Sequence, residues 1–484
     1  MENRREMLAQ APLLPLLVKM SLPAMIGMFV MASYNVVDTI FIGWGVGPLG
    51  IAATSVAFPL QLFVGALSMW VAMGTASLSS RKLGAGLDDD AERALGNGFV
   101  MSVALGFATL AAGIACLDPL IAMMGADARV ADHARHYLGI VFLGNPLVIV
   151  GMLFNNTIRS EGNTRYAMYS MVLPAVLNVF LDPLFIFGFK MGMAGAAWAT
   201  VIGQLVTLLW NLRYYLTGRR SLIALRLSRM PLRWVIDAEI LGVGVSEFAR
   251  QGALAVANTI LMNQISRYGS ALYIAAYAIM MKVSSIAVMP IFGIGQGMQP
   301  IVGYCYGAGL YGRARKAIEI ALLSATVITV TGEIILLGFP HVFVRAFTDD
   351  AEVIRLTVWG VRILQSTFAI IGFQIVGTVT FQALGFAGPA LFLSLSRQVI
   401  FFIPSLLVLP RFFGVAGVFL RHPHPAGAAF GCATMKRFSL WPHRRKGLSQ
   451  CAADRSHGYG RRMPDRFPSV SDAAPTSLRC GTLP

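Results

Sequence analysis

"SLPAMIGMFVMASYNVVDTIFIGWG", residues 21–45, decides the fold, because Asp38 is the only charged residue in it. No other charge occurs between Met20 and Ser80. About 20 apolar residues in a helix cross a ~30 Å hydrocarbon layer, and in such a layer every backbone polar group must be satisfied within the segment. The stretch therefore predicts a membrane-spanning helix that carries one carboxylate.

The same pattern recurs along the chain. Of the 484 residues, 56% are hydrophobic and 13% charged, and the mean hydropathy is +0.66. That balance excludes an ordinary soluble domain. Apolar runs fall at 13–43, 50–80, 92–117, 136–160, 166–188, 192–216, 237–266, 272–304, 313–339, 355–384 and 388–410, and several are long enough to tilt or kink. They predict an all-α polytopic membrane protein with eleven spans and an aborted twelfth. The start, Glu2-Asn3-Arg4-Arg5-Glu6, leads into a span without a small-residue cleavage site, so the first span is expected to stay as a helix.

Basic residues collect in alternate connections: Arg81, Lys82 and Arg93, then Arg159 and Arg165, then Arg219 to Arg233, then Arg313 to Lys316. By the positive-inside rule these connections and the amino terminus are cytoplasmic. The expected location is the cytoplasmic (inner) membrane. The chain divides into an amino-terminal bundle (1–216), a basic linker (217–236), a second bundle (237–420) and a tail (421–484).

The two bundles repeat. Gly74, Gly84 and Gly86 return 223 residues later as Gly297, Gly307 and Gly309, "IAA" at 51–53 returns at 274–276, and Gly162 returns as Gly385. Six spans, a linker and six spans again form a parallel repeat of the kind secondary transporters use, with the substrate site between the halves.

The order and spacing of "SLPAMIGMFVMASYNVVDTIFIG", "GTASLSSRKLGAG", "NVFLDPLFIFG" and "GIGQGMQPIVGYCYGAG" resemble the multidrug and toxic compound extrusion (MATE) family over residues 10 to about 420. The resemblance implies two six-helix bundles in a V and cation-coupled export of amphipathic, often cationic compounds. The twelfth helix is expected to be lost or frameshifted here.

An intramembrane carboxylate costs ~2.5–3.5 kcal/mol on insertion scales and marks a functional site by default. Asp38 has a counterpart in Asp182, with Asn178 one helical turn before it and Pro183 after it; Tyr34 stands one turn before Asp38. Two carboxylates with amide and hydroxyl oxygens make a site for Na⁺, or a like-charge pair that holds a proton. The DinF-like and archaeal pattern of the family places the coupling ion on residues that correspond to Asp38, Asn178, Asp182 and Thr200, with Asn155 nearby, and a bend of the first helix at Pro23. At the 223 offset, Asp38, Asn178 and Asp182 become Leu261, Phe401 and Ser405. The ion chemistry is therefore expected in the first bundle, coupled to H⁺ or Na⁺.

Substrate contacts are read at Tyr34, Glu247, Gln251 and Gln296, with Gln299 in the same group. Glu247 is equally open to an intrahelical pair with Arg250 three residues on. Twenty-four Met and thirty Phe suit a deformable lining, although most of them belong to cores and lipid faces. Glu333 is read as structural.

The chain is read as not an enzyme and as having no cofactor besides the coupling ion. There is no Walker loop, and Cys116 and Cys305 are too isolated to hold zinc. The expected partners are amphipathic or cationic small-molecule drugs and membrane lipids. The chain is expected to be a monomer that binds no nucleic acid. A flippase for a lipid-linked oligosaccharide or related precursor is the rival reading; it calls for more basic residues within the spans than Arg250, Lys282, Arg362 and Arg397.

The repeat fails at its end. "GVAGVFL" at 414–420 matches "GMAGAAW" at 192–198, but "RHPHPAGAAFGCATMKRFSLWPHRRKG" follows where an apolar helix is required. Residues 421–484 hold 11 Lys and Arg against 3 Asp and Glu. The switch in mid-helix predicts a frameshifted, disordered tail and poor export by the chain as written.

Overall fold

A computed structural model describes residues 2–419, apart from 125–126, 218–220, 227–228, 269–270 and 366–367. The tail expected at 421–484 lies outside the described residues. The described chain is helical, with no strand.

The first bundle comprises α1 (Glu2–Gln10), α2 (Leu13–Gly45), α3 (Pro48–Gly84), α4 (Asp88–Ala115), α5 (Leu117–Met123), α6 (Ala128–Leu143), α7 (Asn145–Ser160), α8 (Thr164–Pro183) and α9 (Met193–Leu216). The second comprises α10 (Trp234–Tyr268), α11 (Ala271–Gly307), α12 (Tyr311–Gly338), α13 (Pro340–Arg345), α14 (Ala351–Gln365), α15 (Phe368–Leu384), α16 (Ala387–Leu395) and α17 (Ile403–Phe419). π-Helical turns follow α8 at Leu184–Gly188 and α16 at Ser396–Phe402.

Among the described residues, eight helical runs are long and apolar enough to cross a membrane, and α6 with α7 makes a ninth as a pair bent by 49°. The bend follows from Gly144 and from Pro146 in the first turn of α7, which lacks the N–H that would continue the ladder. Two of the eleven predicted spans fall short of that standard. The helix α10 is long, but Glu247, Arg250, Asn258, Asn263 and Gln264 lower its hydropathy; the tenth span is divided between α14 and α15.

The 223-residue repeat is visible in the backbone. Gly86 and Gly309 both have φ +72°, while Gly162 and Gly385 have +83° and +82°. These left-handed turns end corresponding helices, where a side chain would be strained. The bundles meet along α2 and α3 on one side and α10 and α11 on the other. A Cβ on Gly84 would overlap the carbonyl oxygen of Tyr304, and one on Gly307 would overlap that of Arg81. Tyr304 is itself the repeat partner of Arg81, so one close approach is made twice.

Packing explains where the bundles join. On the face that carries the linker, one apolar core runs through both bundles, from Leu16 and Met20 through Val71 and Leu78 to Ile294, Met298 and Val379. On the opposite face each bundle has its own core, around Ile42, Tyr137 and Ile186 in the first and around Leu261, Tyr277 and Val361 in the second. The bundles are therefore sealed at the linker face.

Polar contacts reinforce that seal. Arg81 pairs with Glu239 at 2.7 Å, Asn97 donates to Asp237 at 2.9 Å, and Arg229 pairs with Asp89 at 2.7 Å. Glu161, fully buried just beyond α7, ties down the linker. It accepts hydrogen bonds from the Leu222 N–H at 2.7 Å, the Tyr214 hydroxyl at 2.9 Å and the Ser221 hydroxyl at 2.9 Å. Burial pushes its carboxyl up to about 7, against the pull of those donors and of Arg4.

Candidate functional site

The helix α2 runs without a break through the buried Pro23 and places Tyr34 and Asp38 a turn apart on one face. The helix α8 does the same for Asn178 and Asp182, both buried. One residue beyond Pro183 the chain leaves α-helical geometry for the π-helical turn, as expected where a ladder donor is missing. The helix α9 brings Thr200 opposite α2.

These five residues converge. The hydroxyls of Tyr34 and Thr200 are 3.4 Å apart. Asp38 and Asp182 lie within electrostatic reach of each other, and Tyr34 lies within reach of both. Gly203 lets α9 approach the Asn178 amide, whose nitrogen a Cβ there would meet at 3.0 Å. Four oxygens in this cluster are buried without a hydrogen-bond partner: Asp38 Oδ1, Asn178 Oδ1 and both carboxylate oxygens of Asp182. Buried oxygens seldom go unpaired. An oxygen-rich pocket of that kind fits a hard cation or a proton.

Two members of the cluster are not apparent in the sequence. Tyr137 of α6 is buried within reach of Asp38 and Asp182, and Gln61 of α3 donates to its hydroxyl at 3.3 Å. A Gln in an otherwise apolar run was the available signal; a tyrosine among core residues gave none.

Asn155 is elsewhere. It donates to the Ala167 carbonyl at 2.9 Å and the Ser170 hydroxyl at 2.6 Å. Those partners precede Asp182 on α8 by 12 or more residues, or about 18 Å of helix. Because α7 runs from the bend at Gly144 toward the linker face, Asn155 is carried away from the carboxylates, and its amide is spent in joining α7 to α8.

In the second bundle Arg250 clasps Glu247, with Nε donating to Oε2 at 2.9 Å and a second bond from Nη2 to Oε1. Arg159 of α7 donates to Gln296 across the bundle junction and to Asn156 at 2.6 Å. Gln299 is buried against Met73. Gln296 and Gln299 thus belong to the sealed junction, while Gln251 is half-buried next to Arg250. No group of three or more His, Cys, Asp or Glu side chains is placed to hold a metal among the described residues.

A family model described as MatE matches residues 23–184 and 252–407. The chain belongs to the MATE family. Among MATE relatives, it is 25% identical over 411 residues to the multidrug export protein MepA of Staphylococcus aureus, covering 84% of this chain and 90% of MepA. It is 26% identical over 434 residues to an FAD transporter of Shewanella oneidensis, covering 87% of this chain and 94% of that one. A ligand-bound structure of the MATE multidrug transporter DinF-BH superposes with a TM-score of 0.80 at 38% identity, covering 89% of this chain and 96% of that one.

Proposed function

We propose that this chain is a secondary active exporter of amphipathic, often cationic compounds, driven by antiport of H⁺ or Na⁺ through an ion site of the DinF-like kind. The observation that carries the reading is the set of partnerless buried oxygens on Asp38, Asn178 and Asp182. An uncompensated charge pair at that depth is costly, and a bound proton or Na⁺ removes the cost. At the repeat positions of the second bundle stand Leu261, Phe401 and Ser405, so the paired carboxylates have no counterpart there.

Ion occupancy alters the repulsion between α2 and α8, and Thr200 and Tyr34 supply the hydroxyls that complete the shell. Na⁺ would be held by Asp38, Asn178, Asp182 and Thr200. Pro23 acts as the hinge that lets the outer half of α2 respond. The linker face is the cytoplasmic one, so the sealed junction corresponds to a state open to the outside of the inner membrane. The chain works as a monomer. The multidrug export protein MepA among the relatives supports drugs as the substrate class.

Asp38→Asn and Asp182→Asn are each expected to abolish export by inverted vesicles while the protein still reaches the membrane. Unchanged export by either well-expressed variant would remove that residue from the mechanism. Imposing a pH gradient and a Na⁺ gradient separately on the wild type identifies the ion.

A further inference from the structure

The second bundle carries a buried charge cluster of opposite sign, which the export reading does not use. Glu247 and Arg250 neutralise each other in a two-point pair on α10, and the Arg250 guanidinium also lies over the Phe292 ring of α11, 5.3 Å from its centroid. Arg397 lies in the π-helical turn Ser396–Phe402, which packs against α10. Its Nε is buried without a hydrogen-bond partner, and the charge of Arg250 reaches it.

Arg397 follows the start of α16 by ten residues, or about 15 Å of helix, which puts it near mid-span. A guanidinium at that depth is costly, and it ordinarily pairs with an acid or a carbonyl. Among the described residues Arg397 forms no ion pair and its Nε has no carbonyl partner, and the charge that reaches it is that of another arginine. Glu247 is already committed to Arg250, so the cluster is left with one uncompensated positive charge. A π-helical turn within an α-helix frequently marks a functional site. The first bundle holds two carboxylates within reach of each other, while in the second Arg397 forms no ion pair among the described residues.

We propose that Arg397, with Arg250 beside it, forms an anion subsite that takes the carboxylate, phosphate or sulfonate of an amphipathic substrate, with Phe292 offering apolar surface to its hydrophobic part. This rests on the export reading and extends its substrates from cations to compounds with an acidic group. The planar guanidinium suits such oxyanions, since its forked donors match them in pairs.

The test uses two dyes with one xanthene scaffold and opposite charge, cationic rhodamine 6G and anionic fluorescein, with FAD as a second anion. Binding to the purified full-length chain is followed by fluorescence, together with the thermal midpoint without ligand and dye export in vesicles. Arg397→Gln is expected to weaken fluorescein and FAD at least tenfold, to leave rhodamine 6G within twofold, and to hold or raise the thermal midpoint, because an unpaired buried charge has been removed. Arg397→Lys keeps the charge and loses the fork, and it is expected to fall between. The subsite is overturned if the wild type binds neither anion, if Arg397→Gln weakens all three ligands equally, or if it lowers the midpoint and leaves anion affinity unchanged. Loss of anion binding in the variant of a protein that exports neither dye would sink the export reading and leave the subsite standing. Export of rhodamine 6G with unchanged anion binding would sink the subsite alone.

Discussion

Replacing Glu161 by Gln should remove a pH dependence from the stability of this protein. The carboxyl titrates near 4.5 when free and at about 7 in the fold, where burial outweighs its donors. The folded state therefore holds the proton more tightly than the unfolded one. Its stabilising contribution is complete below the unfolded value and is lost as pH rises through about 7. That interval corresponds to on the order of 3 kcal/mol at ~1.4 kcal/mol per pH unit. The amide fits the same site. Oε2 receives both the Leu222 N–H and the Tyr214 hydroxyl, whereas Oε1 receives only Ser221, whose hydroxyl can equally accept from an amide nitrogen. Thermal midpoints in detergent between about pH 5 and pH 8 should fall for the wild type relative to the variant, which lacks the titrating proton. Parallel curves would show that the carboxyl is not held in the buried environment described, and the reasoning would fail.

Other outcomes follow from the same structure. Pro23→Ala restores a ladder hydrogen bond worth up to about 3 kcal/mol in a helix interior; it should raise the thermal midpoint and cut export severalfold, and unchanged export and ligand affinity would dispose of the hinge. Gly84→Val places a side chain against the Tyr304 carbonyl, so it should prevent closure of the linker face, seen as modification of a cysteine introduced at the junction by a membrane-impermeant reagent from that face. Tyr137→Phe, which removes the hydroxyl that Gln61 reaches, should weaken coupling-ion affinity by roughly five- to tenfold, or about 1 kcal/mol for one hydrogen bond, while leaving expression intact; an unchanged ion dependence would take Tyr137 out of the site.

The parts of the site that were legible in the sequence are those that violate their surroundings. Asp38 and Asp182 are conspicuous in apolar runs, and helical spacing correctly places Tyr34 and Asn178 beside them. Spacing specifies a face but not a depth, which is why Asn155 reads as a neighbour although its partners stand about 18 Å along α8 from Asp182: the bend at Gly144 sets how far α7 has descended. Partners distant in the chain leave no local trace. The clasp of Arg159 on Gln296 spans 137 positions, and Tyr137 is indistinguishable in sequence from a core aromatic. The bundles were legible because their glycines serve the same turns and the same close approach in both halves. Arg397 was visible only as one of a few intramembrane bases; that it meets no acid among the described residues depends on which helix faces it.

The paired approach of Gly84 to Tyr304 and of Gly307 to Arg81 has the form of an isologous interface, the kind two identical subunits make about a twofold axis. Here both subunits are written in one polypeptide. An interface of that kind doubles the effect of whatever both halves share and frees the halves to diverge everywhere else. Intramembrane positions at which repeat partners differ in charge then mark acquired specialisation, among them Asp38 against Leu261 and Asp182 against Ser405 on one arm, and Arg397 against Pro174 on the other. Restoring symmetry at those positions, one pair at a time, would give the chain back the even-handedness of a homodimer and strip it of direction.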